Sequence, residues 1–193
     1  MTKIIGLTGG IGSGKTTIAT YFKTAGIPVY IADVAAKEIM NTLEVKSAIK
    51  TEFGSAVFDE GNLNRVKLAD IVFSHPEKLA VLNAIIHPAV KNHFNQWILN
   101  YKNVPFIIYE AAILFESGSF KNCDKIINIT APIELRIERV MKRDKTSREA
   151  VLKRMNSQWT DAQRSTKSDF IIENVALKTT KLEFEKILKI LNI

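Results

Sequence analysis

Gly9, Gly14, Lys15 and Thr16 stand in the pattern G-x-x-x-x-G-K-[ST], inside the stretch GLTGGIGSGKTTIA at residues 6–19. That spacing suits the cradling of phosphate, because glycines let backbone N–H groups curl around anionic oxygens with no Cβ in the way. Lys15 is placed to reach β- and γ-phosphates, and the Thr16 hydroxyl to ligate Mg²⁺. The flanks fit. KIIGLT reads as a short buried strand, and KTTIATYFKTAG has helical apolar spacing that ends at Gly26, so the start of a helix adds its positive end to the loop.

Such a loop serves kinases, switches and motors alike, so the choice rests on other residues. The chain has no Asn-Lys-x-Asp to read guanine and no Leu-Ser-Gly-Gly-Gln segment, which disfavours a GTPase switch and a transport ATPase. Phosphoryl transfer to a small molecule needs a carboxylate that orients the acceptor hydroxyl. Asp33 closes the run IPVYIAD, at the end of a strand where ligands of a doubly wound sheet collect. It could also cap the helix VAAKEIM. Glu110, at the end of VPFIIYE, has a comparable position and suits Mg²⁺ or substrate. Arg136, Arg139 and Arg143 share one helix face at i, i+3, i+7 spacing, and Arg154 follows on the next helix. Arg136 reads as part of a solvated face, with Glu134 and Glu138 as surface partners. The others are open between that role and closing over a transferring phosphoryl group.

These residues require a scaffold. The runs KIIGLT, IPVYIA, VPFIIYE, DKIINIT and DFIIEN predict five parallel strands separated by helices, a three-layer α/β sheet of the phosphate-loop NTPase type. Between the second and third runs no strand is expected. Consecutive helices fill this interval, with Asn64 as a cap and with Pro76 and Pro88 in the first turns of the next two. The predicted division is a core of 1–38, 103–139 and 166–193, an inserted helical substrate lobe at about 39–102, and a helical lid at about 140–165.

At 193 residues, one core with inserted lobes is the natural size. Lys and Arg number 27 against 20 Asp and Glu, a formal charge of +7 that suits polyanionic small molecules. The basic residues are scattered without interleaved aromatics, so nucleic acid is not expected as the main partner. A single cysteine, Cys123, excludes an internal disulfide and points to a reducing compartment. The first apolar run breaks at the phosphate loop, unlike a signal peptide, and FIIYEAAILF is about half the length of a membrane span. A soluble cytoplasmic protein without an obligate protein partner is expected.

Seven blocks taken together resemble the dephospho-CoA kinase family: GLTGGIGSGKTT, AD at 32–33, DEGNLNRVKLADIVF at 59–73, HP at 87–88, ILFE at 113–116, KRD at 142–144 and DFIIEN at 169–174. The resemblance implies transfer of the γ-phosphate of ATP, with Mg²⁺, to the ribose 3′-hydroxyl of dephospho-CoA, giving CoA and ADP. It implies that Gly12, Ser13, Gly14, Lys15, Thr16 and Thr17 bind ATP phosphates, with Asn174 also on the ATP side. It assigns Asp33 to orient or deprotonate the acceptor, and Arg139 and Arg143 to face the phosphates from the lid. Lys37, Arg65, His87, Glu110, Phe115 and Glu116 fall to the acceptor side. Three positions depart from the family pattern: Ile31 replaces a first aspartate, Ala112 a proline, and Lys37 an arginine whose bidentate contact lysine cannot reproduce. His87, just before Pro88, also fits a helix cap. A kinase with a nucleoside or nucleotide acceptor, or a binding protein that hydrolyses ATP slowly, remain the alternatives.

Overall fold

The computed structural model describes residues 2–191, and for Phe73 the backbone only. Its main sheet is built from β1 (Lys3–Gly9), β2 (Val29–Ile31), β5 (Phe106–Glu110), β6 (Lys125–Thr130) and β7 (Phe170–Glu173), with two short strands, β3 (Phe58–Asp59) and β4 (Asn62–Leu63), elsewhere. The order is β2-β5-β1-β6-β7 and every neighbouring pair is parallel. β5 is buried at every residue and β1 from Ile5 onward, which explains their near-continuous apolar runs. All five strands expected from the sequence form.

One face of the sheet carries the core. Ile5, Leu7, Phe106, Ile108, Ile127, Ile129 and Ile172 pack on Ile18 and Phe22 of α1 (Lys15–Thr24) and on Phe184 and Ile187 of α9 (Leu177–Leu191). Phe22 meets Phe184 edge-on, with ring centroids 4.8 Å apart. On the opposite face, Tyr30 and Tyr109 stack at 5.5 Å. A Cβ on Gly6 there would come within 2.9 Å of Leu114.

The chain divides into two compact units, Met1–Ile31 with Tyr101–Ile193, and Ala32–Asn100. The first also holds α6 (Ile133–Asp144), α7 (Arg148–Asn156) and α8 (Asp161–Ser165). The second comprises α2 (Ala32–Ile39), α3 (Leu43–Phe53), α4 (Arg65–Ser74) and α5 (Pro76–Ile98), the first three each packing on α5.

Two features of the second unit correct the sequence reading. β3 and β4 form a small antiparallel hairpin where no strand was expected. Its turn uses Glu60 and Gly61, both at positive φ (48° and 79°), the conformation that two-residue hairpins favour. Pro88 does not start a helix but lies inside α5. An interior proline costs about 3 kcal/mol. Leu82, Ile86, Val90 and Phe94 form a buried stripe through it, each side chain contributing about 1.5–3 kcal/mol, so burial outweighs the break. Two other readings hold. Asn64 caps α4, accepting from the N–H groups of Val66 (3.0 Å) and Lys67 (3.1 Å), and Pro76 is the first residue of α5.

Candidate active site

The phosphate loop leaves the buried end of β1 and enters α1 at Lys15. Its bends need glycine. Gly12 and Gly14 have φ of 79° and 94°, and a Cβ on Gly14 would lie 1.9 Å from the Asn174 amide nitrogen. That amide donates to the Ser13 carbonyl (2.8 Å), while the Asn174 side-chain oxygen accepts from the Thr180 hydroxyl (3.1 Å). Asn174 is buried and holds the loop by its backbone. The Ser13 N–H donates to the Gly10 carbonyl (3.1 Å), closing a turn, and the Lys15 ammonium donates to the Gly9 carbonyl (2.9 Å). Thr16 and Thr17 lie in the first turn of α1, whose positive end meets the loop.

Glu110 ends β5 in register with Leu7, two residues before Gly9. Strand alternation places it on the face that packs against α1, continuing Phe106 and Ile108, and it is buried.

Arg136 corrects the sequence reading. It is not on a solvated face but 5 % exposed, its Nε donating to the Ile11 carbonyl (2.9 Å) and its Nη1 to Asp161 (2.8 Å). The guanidinium fills the space beside Gly10, where a Cβ would lie 2.1 Å from Nη2. Glu134, the supposed partner, instead holds Arg148 through two bonds of 2.7 Å. Asp161 also accepts from the fully buried Arg164 (3.3 Å), which reaches Glu116 (3.4 Å). Burial pulls the Arg164 pKa down against the favourable charges of Glu116 and Asp161. Glu116 further accepts from the Trp159 N–H (2.9 Å), and the Trp159 ring stacks on Phe115 at 5.2 Å with 6° between planes. Gln158 accepts from the Ile11 N–H (2.9 Å). The sequence reading missed Gln158, Asp161 and Arg164. One signal for Arg136 existed: Gly10 is outside the fixed motif positions and has no positive φ, so its glycine answers to space.

The other arginines divide. Arg139 donates to the Val175 carbonyl (3.5 Å), and its Nη1 is buried without a hydrogen-bond partner. Arg143 and Arg154 both bond to Asp144, through 2.6 and 3.0 Å contacts and a 2.7 Å contact, and this pair of guanidiniums holds that carboxyl well below the usual range. The structure thus joins Arg143 to Arg154 rather than to the loop.

In the second unit, Asp33 is exposed and is the second residue of α2, so it does not precede the helix as a cap would. At this position a carboxylate still complements the helix dipole. Arg65 donates to the Lys37 carbonyl (2.7 Å), which brings those two residues together. His87 lies in mid-helix, which removes the cap reading, and burial draws its pKa down. In the first unit, burial pushes the Cys123 thiol up to about 12, leaving it inert as a nucleophile.

The parallel sheet, the glycine loop entering α1 and the carboxylate ending the neighbouring strand define a phosphate-loop kinase of the α/β class. The chain belongs to the dephospho-CoA kinase family, whose model (CoaE, dephospho-CoA kinase) matches residues 3–179. It is 43 % identical to the dephospho-CoA kinase of Fusobacterium nucleatum, with 89 % of each chain covered. A crystal structure of a Thermus thermophilus protein superposes with a TM-score of 0.87 at 34 % identity, over 98 % of this chain and 95 % of that one. The dephospho-CoA kinase of Campylobacter jejuni gives 0.70 at 29 % identity, over 98 % and 96 %.

Proposed function

We propose that the chain transfers the γ-phosphoryl group of ATP to the ribose 3′-hydroxyl of dephospho-CoA, giving CoA and ADP. The observation that carries this is the family match over residues 3–179 together with an intact phosphate loop at the end of β1. ATP phosphates sit against Gly12–Thr17, with Lys15 neutralising charge on the β- and γ-phosphates. Asp33 aligns the 3′-hydroxyl and accepts its proton as the new O–P bond forms and the bond to the ADP oxygen breaks. Arg139 supplies positive charge to the transferring group.

Mg²⁺ fits the donors present. The Thr16 hydroxyl and the buried Glu110 carboxylate are hard oxygen ligands at adjoining element ends, and Mg²⁺ is commonly held by one or two such groups plus phosphates and waters. Among the described residues no group of three or more His, Cys, Asp or Glu could hold a metal alone. Bound with ATP, the ion neutralises phosphate charge.

The reading places the enzyme in the cytoplasm with ATP and dephospho-CoA as its partners. Its single cysteine suits a reducing compartment, and among the described residues no helix is long and apolar enough to cross a membrane. The test is incubation with Mg·ATP and a panel of dephospho-CoA, nucleosides and mononucleotides. Phosphate is expected on dephospho-CoA. Transfer only to a nucleoside or nucleotide, or ATP hydrolysis with no acceptor labelled, would replace the assignment.

A further inference from the structure

We propose that Arg136 and Gln158 are positioning residues that fix two consecutive peptide planes of the phosphate loop and so aim its anion-binding N–H groups. The inference rests on the reading that this loop holds ATP.

Both polar backbone groups of Ile11 are taken by side chains from distant parts of the chain. Its N–H donates to Gln158 at 2.9 Å, and its carbonyl accepts from Arg136 Nε at 2.9 Å. A peptide unit is planar, and no described bond is cis. The Ile11 carbonyl and the Gly12 N–H share one plane and point in opposite directions. Holding the carbonyl against Arg136 therefore turns the Gly12 N–H away from α6. The Ile11 N–H shares its plane with the Gly10 carbonyl, which accepts from the Ser13 N–H at 3.1 Å. Fixing the first plane thus steadies the turn that leads to Ser13.

The need for such a clamp follows from composition. Gly12 has no Cβ to limit its backbone, and glycine loses more conformational freedom on ordering than any other residue. Its φ of 79° is a conformation that the local sequence cannot enforce. Packing completes the restraint, since a Cβ on Gly12 would lie 2.5 Å from the Arg136 carbonyl.

The clamp is itself anchored. Asp161 joins Arg136 (2.8 Å) to Arg164 (3.3 Å), and Arg164 continues to Glu116. Glu116 takes the Trp159 N–H while Phe115 stacks on the Trp159 ring, so the residue next to Gln158 is held on two sides. Arg136 and Arg164 are 5 % and 0 % exposed, and removal from water strengthens such charge-assisted bonds. In this conformation the segment 158–164 is thus bonded to the loop and to Arg136.

The experiment compares Gln158→Met, which keeps length but loses the acceptor, with Arg136→Met and with Lys15→Ala. KM for ATP, KM for dephospho-CoA, kcat and Tm are measured for each. One hydrogen bond is worth up to about tenfold in binding, so Gln158→Met raises KM for ATP by about five- to tenfold. Its KM for dephospho-CoA stays within about twofold and its Tm falls by no more than about 4 °C. Arg136→Met gives a larger rise in KM for ATP. Since that variant leaves Asp161 without one partner and can fail to fold, Gln158→Met decides alone in that event. A folded Gln158→Met enzyme with wild-type KM for ATP overturns the proposal, as does an equal rise in both KM values with a fall in Tm, which is the mark of a purely structural role. Lys15→Ala separates the two readings. Unchanged turnover there removes the loop from the reaction, whereas lost turnover beside wild-type KM values in the clamp variants refutes the clamp alone.

Discussion

Asp33 is exposed in the first turn of α2, with a carboxylate that α2 does not need as a cap. That separates chemistry from stability in one substitution. Asparagine keeps the size but cannot take a proton from the acceptor hydroxyl. Asp33→Asn should lower kcat about 10²–10⁴-fold with KM for ATP near wild type, because general-base assistance has that magnitude. A thermal melt of the same preparation should be almost unchanged. A stable variant that turns over normally would leave Asp33 with no role in proton transfer.

At this scale the sequence was legible where a motif fixes the backbone, and poorly legible where a side chain meets distant backbone. Gly9, Gly14, Lys15 and Thr16 announced the loop through spacing alone. Spacing also put Arg136, Arg139 and Arg143 on one side of α6, yet it could not say what that side meets. Arg136 buries itself under the loop, Arg139 turns to Val175, and Arg143 goes to Asp144. Gln158 was beyond reach, since its partner is a backbone N–H at residue 11.

Among the elements, the strands were the plainest in the sequence. A strand covered on both faces needs apolar residues throughout, and few helices are so short and so rich in isoleucine. The β3–β4 hairpin escaped because two residues per strand carry no periodicity. α5 was cut in two at Pro88, since proline more often begins a helix than continues one. The continuity of α5 puts His87 in a half-buried mid-helix position with its pKa drawn below 6.5 by burial. As pH falls through about 6.5 the unfolded chain takes up a proton at this residue that the folded chain resists, so stability present above that pH is progressively lost. His87→Gln lacks this loss. The Tm of wild type minus that of His87→Gln should therefore fall from pH 7.5 to 5.5, checked by melts across that range. A difference that stays constant would mean that burial does not shift this histidine.

For the whole molecule, the sequence led to the expectation of an inserted lobe at about 39–102, and the chain divides into two compact units, one of them Ala32–Asn100. Phosphoryl transfer to a hydroxyl requires that water be kept from the γ-phosphate. The lobe and lid proposed from the sequence would provide this by closing over the site, as lids of many kinases do, with the bonds at residues 158 and 161 breaking or following the loop. Amide exchange over residues 40–100 and 140–165 should slow when Mg·ATP and dephospho-CoA are both present, and less with either alone. Unaltered exchange in both segments would mean that water is excluded by the ground structure. The +7 charge bears on the same encounter, since a positive net charge should speed the arrival of polyanionic substrates more at low salt than at high.

The contact between Gly10 and Arg136 also constrains how this chain can evolve. A methyl group at residue 10 would occupy the place of the Arg136 guanidinium, 2.1 Å from Nη2. The two positions therefore change most readily in one order: once the arginine gives way to a shorter side chain, residue 10 is released from glycine without displacing a guanidinium. The reverse path passes through an intermediate that displaces the guanidinium and with it the hold on Ile11. Divergence at residue 10 is thus contingent on the history of residue 136, although 126 positions separate them in the chain.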